Sequence, residues 1–218
     1  MTVADNLARV RESIGKTPVR LVAVTKTATI QQIEEAYAAG VADFGENRVQ
    51  DALKKQSELP VEMADKVRWH FIGHLQTNKV NKVIGHFDLI HSIDSFDLAS
   101  EVSRAANAKS IVQPILLQVK MSEDPNKGGF TPDDLKDRFS DLQRLSGIRI
   151  DGLMTIAPLT TDNTTWRFCF KGLQLLRNEL ESVYGVKLKE LSMGMTQDYK
   201  EAITCGSTMV RLGRAIFN

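Results

Sequence analysis

Val19-Arg20-Leu21-Val22-Ala23-Val24-Thr25-Lys26 is a short apolar run that ends in one lysine. Leu21 to Val24 offer no polar side chain on either face, as in a strand buried on both sides between helices. A helix follows at once: Thr29 with Gln32 makes a capping-box pair, Ile30, Ile33 and Tyr37 recur at helical spacing, and Gly40 supplies the stop. Lys26 therefore stands where a strand ends and a helix is about to begin. At such an apolar rim it is expected to be partly desolvated, which lowers its pKa and frees an amine able to condense with an aldehyde. A lone lysine in a strand-to-helix loop is ordinarily just solvated. Its functional reading therefore depends on what the rest of the chain places beside it.

The same strand-then-helix unit recurs outward from this stretch. An amphipathic helix over 3–14, with Val3, Leu7, Val10 and Ile14 on one face, comes first. Further strands read over 41–47, 67–72, 89–93, 111–119, 148–156, 188–191 and 207–211, the fifth starting late or bulging at Pro114. Helices read over 48–56, 77–84, 95–108, 132–145, 163–184 and 197–204. Residues 120–130 are the longest turn-rich stretch, the kind that serves as a functional loop.

Strands that alternate with helices are parallel and joined by crossovers. Eight such units predict a single domain over residues 1–218, a closed (β/α)8 TIM barrel, with an open doubly wound sheet as the competitor. The chain runs only seven residues past the eighth strand, so a closing helix is expected to be missing and the amino-terminal helix to cover that gap.

Composition narrows the function. A net charge of +1, with 25% of residues charged, carries no basic bias towards nucleic acid and no acidic tail. The first residues lack the apolar stretch of a signal peptide, and no run of about eighteen apolar residues exists, so a cytoplasmic protein without membrane association is expected. Cys169 and Cys205 are far apart and read as reduced, buried thiols. His70 and His74 are four apart, but the residues between them read as a strand end, which does not suit a metal pair.

In a barrel of this kind the carboxyl ends of the strands share one rim, and the active site lies there. Those ends bring Lys26, Asn47, His70, Met154, Thr155, Ser192, Gly194, Arg211 and Gly213 together. Loops after strands seven and eight commonly hold phosphate. Ser192 offers a hydroxyl, Gly213 permits close backbone approach, and the amides after it can face an anion. With a rim lysine, these features describe a site for a phosphorylated aldehyde.

Five segments carry a resemblance: Ala23-Val24-Thr25-Lys26, Phe44-Gly45-Glu46-Asn47-Arg48, Trp69 to Lys79, Leu191-Ser192-Met193-Gly194-Met195 and Val210-Arg211-Leu212-Gly213-Arg214. In this order, over essentially the whole chain, they resemble the pyridoxal phosphate homeostasis protein family, also called the proline synthase co-transcribed family. The resemblance implies the barrel of the alanine racemase amino-terminal domain and pyridoxal 5′-phosphate held as a Schiff base on Lys26. It further implies no established reaction, and a role in balancing vitamin B6 vitamers and, indirectly, amino-acid and keto-acid pools. Carried over by position, Ser192 with the backbone amides of Gly213 and Arg214 would hold the phosphate. Arg211 would lie beside the pyridine nitrogen, and Asn47 near the oxygen-bearing edge of the ring. The partners implied are the cofactor itself and apo-enzymes or regulatory proteins that receive or sense it, with the chain a monomer. The alternatives are a racemase or related lyase of the same fold, and a cofactor-free aldolase.

Other residues stay open. His70 reads equally as a hydrogen-bonded barrel histidine or as a ligand contact. Gln76, Asn78 and Lys79 read as a helix start. Met154, Met193 and Met195 read as packing residues that could also flank a flat ring.

Overall fold

In the computed structural model, residues 2–122 and 128–218 are described. Helix α1 (Val3–Ile14), capped by Thr2, leads into β1 (Arg20–Val24), α2 (Ile30–Ala38) and β2 (Asp43–Glu46). Then come α3 (Val49–Glu58), α4 (Val61–Ala64), β3 (Arg68–Phe71), a 3-10 turn over Thr77–Lys79, α5 (Val80–Val83) and β4 (Leu89–Ile93). The second half runs α6 (Phe96–Ala108), β5 (Gln113–Gln118), α7 (Pro132–Gln143), β6 (Ile148–Met154), α8 (Asn163–Tyr184) and β7 (Glu190–Ser192). It ends with α9 (Tyr199–Thr204), β8 (Met209–Leu212) and α10 (Arg214–Phe217).

The strands pair in chain order, all parallel, and β1 pairs with both β2 and β8. The sheet is thus a closed eight-stranded barrel, and the open doubly wound alternative falls. β1 buries both of its faces. Val22 joins Leu89, Leu116, Met154 and Met209 in the barrel lumen, while Ala23 packs outward into the helix layer. Most of the apolar core lies between barrel and helices, where Ile33, Phe44, Ile90, Leu117, Phe170 and Leu212 are completely buried.

Several boundaries differ from the sequence reading. The helix expected over 77–84 is a 3-10 turn followed by the four residues of α5, and Gln76 before the turn makes no side-chain cap. β5 starts at Gln113 with Pro114 inside it, and the register against β6 shifts one residue later, between Ile115 and Leu116. A closing helix does exist: α10 turns directly out of β8. The expected cover from α1 also forms, with Asn6 Nδ2 donating to the carbonyls of Ile216 (3.0 Å) and Asn218 (3.2 Å). Within the 120–130 stretch, residues 123–127 lie outside the described residues. Its ends are tied, Phe130 N donating to Gln118 O and Lys120 N to Phe130 O.

Two glycines let the barrel close. A β-carbon on Gly152 would stand 1.9 Å from Glu190 O, so only glycine lets β6 and β7 approach. One on Gly73 would stand 2.2 Å from Asn47 O, so glycine there lets the exits of β2 and β3 touch at the rim.

Candidate functional site

A pocket of about 240 Å³ opens at the carboxyl-terminal rim. Lys26 after β1, Asn47 after β2, Arg211 in β8, and Gly213 and Arg214 beyond it all line this pocket. Five of the six site residues read from the sequence therefore meet in one place. Lys26 is exposed rather than half-buried, a correction to the expectation of desolvation. The apolar residues of β1 are buried below it, and the chain surfaces at Lys26.

Ser192 departs from the expectation. It is completely buried and does not line the pocket. As the last residue of β7 it faces the barrel interior, where its hydroxyl meets Arg211 Nη1 (2.6 Å) and His91 Nδ1 (2.8 Å). The hydroxyl-bearing residue that does line the pocket is Thr196, on the loop between β7 and α9. It is accompanied there by Met195 and Asp198, whose carboxylate accepts the Met195 amide at 2.6 Å. Met195 is the one methionine of the three at the pocket; Met154 and Met193 are packed in the core.

Arg211 is enclosed, yet one side of it reaches the pocket. Nη1 donates to Ser192 O (2.7 Å) and Oγ, and Nη2 donates to Thr155 O (2.9 Å). A guanidinium has five N–H groups, so Nε–H and the second Nη2 hydrogen remain for a ligand. Burial pulls its pKa down to about 10, against the attraction of Asp198, so it is cationic at neutral pH. Burial pushes the Asp198 carboxyl above its ordinary value, opposed by the Met195 amide and by Arg211.

The polar contacts continue down the lumen. His91 Nε2 lies 2.9 Å from His70 Nδ1, and His70 Nε2 lies 2.9 Å from Asp43 Oδ1. Arg68 closes the far end with two bonds to the Asp43 carboxylate, 2.8 and 2.6 Å. His70 is thus the hydrogen-bonded barrel histidine and touches no pocket wall. Burial alone would raise the Asp43 carboxyl, but the His70 and Arg68 hydrogen bonds outweigh it and hold it at about 2. Burial first, and then neighbouring His70 and the positive charges of Arg211 and Arg20, drive His91 well below the ordinary imidazole value.

A second buried cluster secures Lys26 and Asn47. Glu46, at the end of β2 and completely buried, accepts from Thr25 Oγ1 (2.8 Å), Lys55 Nζ (2.5 Å) and the Asn47 amide (3.2 Å). Lys55 Nζ also donates to Thr25 O. The backbone on which Lys26 stands is therefore tied to β2 and α3. Sequence reasoning missed Thr25, Glu46 and Lys55. The available signal was Glu46 itself, because a carboxylate inside a strand must find a cation or donors. Among the described residues no cluster of His, Cys, Asp and Glu is placed to hold a metal ion.

Comparison with known proteins places this geometry. The family described as alanine racemase, N-terminal domain, matches residues 2–218. The chain belongs to that family. The pyridoxal phosphate homeostasis protein of Synechocystis sp. is 44% identical over 91% of this chain and 90% of its own length. The structure of PipY from Synechococcus elongatus, with pyridoxal phosphate bound, superposes with a TM-score of 0.90 at 38% identity and covers all of both chains. An alanine racemase of Clostridium difficile is 12% identical with a TM-score of 0.79, over 99% of this chain and 56% of its own. That likeness shows the barrel alone.

Proposed function

We propose that the rim pocket binds pyridoxal 5′-phosphate covalently through the Lys26 amine, and that the protein carries or buffers this cofactor in its homeostasis. The observation that carries the reading is the convergence of an exposed lysine, an arginine with two free donors and a glycine-flanked turn in one pocket. The 38% identical neighbour with pyridoxal phosphate bound supports the choice of ligand.

The residues present fit the group. Lys26 supplies the amine for the aldehyde carbon. The Thr196 hydroxyl and the amides of Arg214 and Ala215, which have no acceptor within the first turn of α10, supply donors for the phosphate. A β-carbon on Gly213 would press on Val24 O at 3.3 Å, so glycine lets the turn after β8 pack closely against β1. Arg211 would take the ring nitrogen and Asn47 the oxygen-bearing edge. When bound, the cofactor supplies an electrophilic carbon and a ring that can accept charge.

Arg211 argues against catalysis. It only donates, so a ring nitrogen facing it accepts and stays unprotonated, which makes the ring a weaker electron sink than an acidic partner would. We therefore read the chain as a carrier that passes its cofactor to apo-enzymes or signals through it, rather than as a racemase or lyase. Borohydride reduction of the cofactor-loaded protein followed by peptide mass spectrometry tests the site. The adduct should lie on Lys26 and vanish in Lys26→Ala; an adduct confined to another lysine overturns the assignment.

A further inference from the structure

Three candidates stand outside the proposed ligand contacts: the buried polar line through the lumen, the surface hollow between Gln56 and Asp88, and the exposed apolar side chains of α8. The first of these ends at Arg211, at the wall of the rim pocket.

With a neutral His70 the line has one consistent direction. The Asp43 carboxylate accepts only, so His70 Nε2 carries a proton and donates to it. With one ring proton on His70, its Nδ1 accepts, and His91 Nε2 must donate to it. His91 Nδ1 then accepts, which leaves the Ser192 hydroxyl as its donor. Ser192 Oγ, with its hydrogen directed to His91 Nδ1, accepts from Arg211 Nη1. Every buried donor and acceptor along the line is satisfied in this sense. The order is Arg211 to Ser192 to His91 to His70 to Asp43, crossing from β8 through β7, β4 and β3 to β2. Two bonds from Arg68 fix the final carboxylate.

We propose that Ser192, His91, His70 and Asp43 are positioning residues for Arg211: their one-way chain of donors holds the guanidinium so that its two free N–H groups face the pocket, where they select a ligand that accepts at the ring nitrogen. The inference rests on the cofactor reading above and adds to it the residues that set recognition of that nitrogen. The chain matters because its members share the barrel lumen with the apolar side chains of Val22, Leu89, Leu116, Met154 and Met209. A hydroxyl and two imidazoles in series orient their neighbours, whereas an apolar filling would leave Arg211 Nη1 short of one acceptor.

The test compares two ligands on one protein: pyridoxal phosphate and its carbocyclic analogue, in which C–H replaces the ring nitrogen. Both keep the aldehyde and the phosphate. The wild-type protein should prefer pyridoxal phosphate by about ten- to a hundredfold, the range for a hydrogen bond to a charged donor. In Ser192→Ala and His91→Leu the preference should collapse towards unity, mainly through weaker binding of pyridoxal phosphate. Circular dichroism checks the fold, and any general loosening acts on both ligands and cancels in the ratio. A preference unchanged in both variants means that the line only stabilises the barrel and overturns the inference alone. A wild-type protein that binds neither ligand overturns the cofactor reading and the inference with it. Nitrogen NMR of histidine-labelled wild-type protein, without ligand, should show His70 and His91 as Nε2–H tautomers. A doubly protonated His70 or an Nδ1–H His91 reverses the chain and overturns the proposal on its own.

Discussion

Ser192 and Thr196 lie one short loop apart, and only the second lines the pocket. The two should separate cleanly by ligand. Thr196→Val removes a donor to a charged phosphate, so pyridoxal phosphate should bind about ten- to a hundredfold more weakly while phosphate-free pyridoxal barely changes. Ser192→Ala should weaken both ligands alike, because it acts through Arg211. Equilibrium titration of the two ligands against the two variants measures this, and a phosphate-selective loss in Ser192→Ala would restore that residue to the cradle. The sequence points to the hydroxyl of Ser192, which the structure buries away from the pocket, and the reason is physical. A strand buried on both faces has no polar-apolar alternation to say which side chains point into the lumen. Lys26, Asn47 and Gly213 avoid that ambiguity because each lies just past its strand, where the chain leaves the sheet.

Helix α10 shows what periodicity cannot reveal. Arg214-Ala215-Ile216-Phe217 spans little more than one turn, too short for a repeat, yet it closes the barrel wall beside the proposed phosphate cradle. Tertiary contacts hold it: Asn6 donates to Ile216 O and Asn218 O, and Gln32 Nε2 donates to Phe217 O at 3.3 Å. The long helices were legible because α1, α2, α6 and α8 repeat apolar residues over several turns between recognisable caps. The opposite holds at 77–84, where Val80 and Val83 mimic a helix face but only α5 forms. Asn6→Leu should release α10 at its carboxyl end. The loss of two hydrogen bonds at a nearly buried side chain should cost about 1–3 kcal/mol, read as a lower urea midpoint. Because the amides of Arg214 and Ala215 belong to the same turn, pyridoxal phosphate should weaken more than pyridoxal. A stability loss with an unchanged ratio of the two affinities would detach α10 from the phosphate.

At the scale of the whole barrel, the polar lumen ties stability to pH. His91 is completely buried and faces His70 from β3, Ser192 from β7, and the charges of Arg211 and Arg20. Burial first, and then those positive charges, hold its folded value well below the ordinary 6.5. Above 6.5 neither the folded nor the unfolded chain protonates this ring, and stability is independent of it. Below 6.5 the unfolded chain takes up the proton and the folded one does not, so stability falls by about 1.4 kcal/mol per pH unit until the folded value is reached. Asp43 acts in the same sense but lower. Its folded value of about 2 against 3.8 makes its contribution fully present above 3.8 and lost as pH falls through 2. Asp198, with a raised folded value, works the other way and offsets part of the loss near the carboxylate range. Urea midpoints from pH 8 to pH 4.5 should therefore be flat above about 6.5 and decline below it. His91→Leu should start lower at pH 8, because Ser192 and His70 each lose a buried partner, by about 1–3 kcal/mol for each group left unpaired. Its curve should then decline less steeply, so that wild type and variant converge as the pH falls. Parallel curves over that range would mean that His91 takes up its proton in the folded barrel, and that the lumen is wetter than its burial implies.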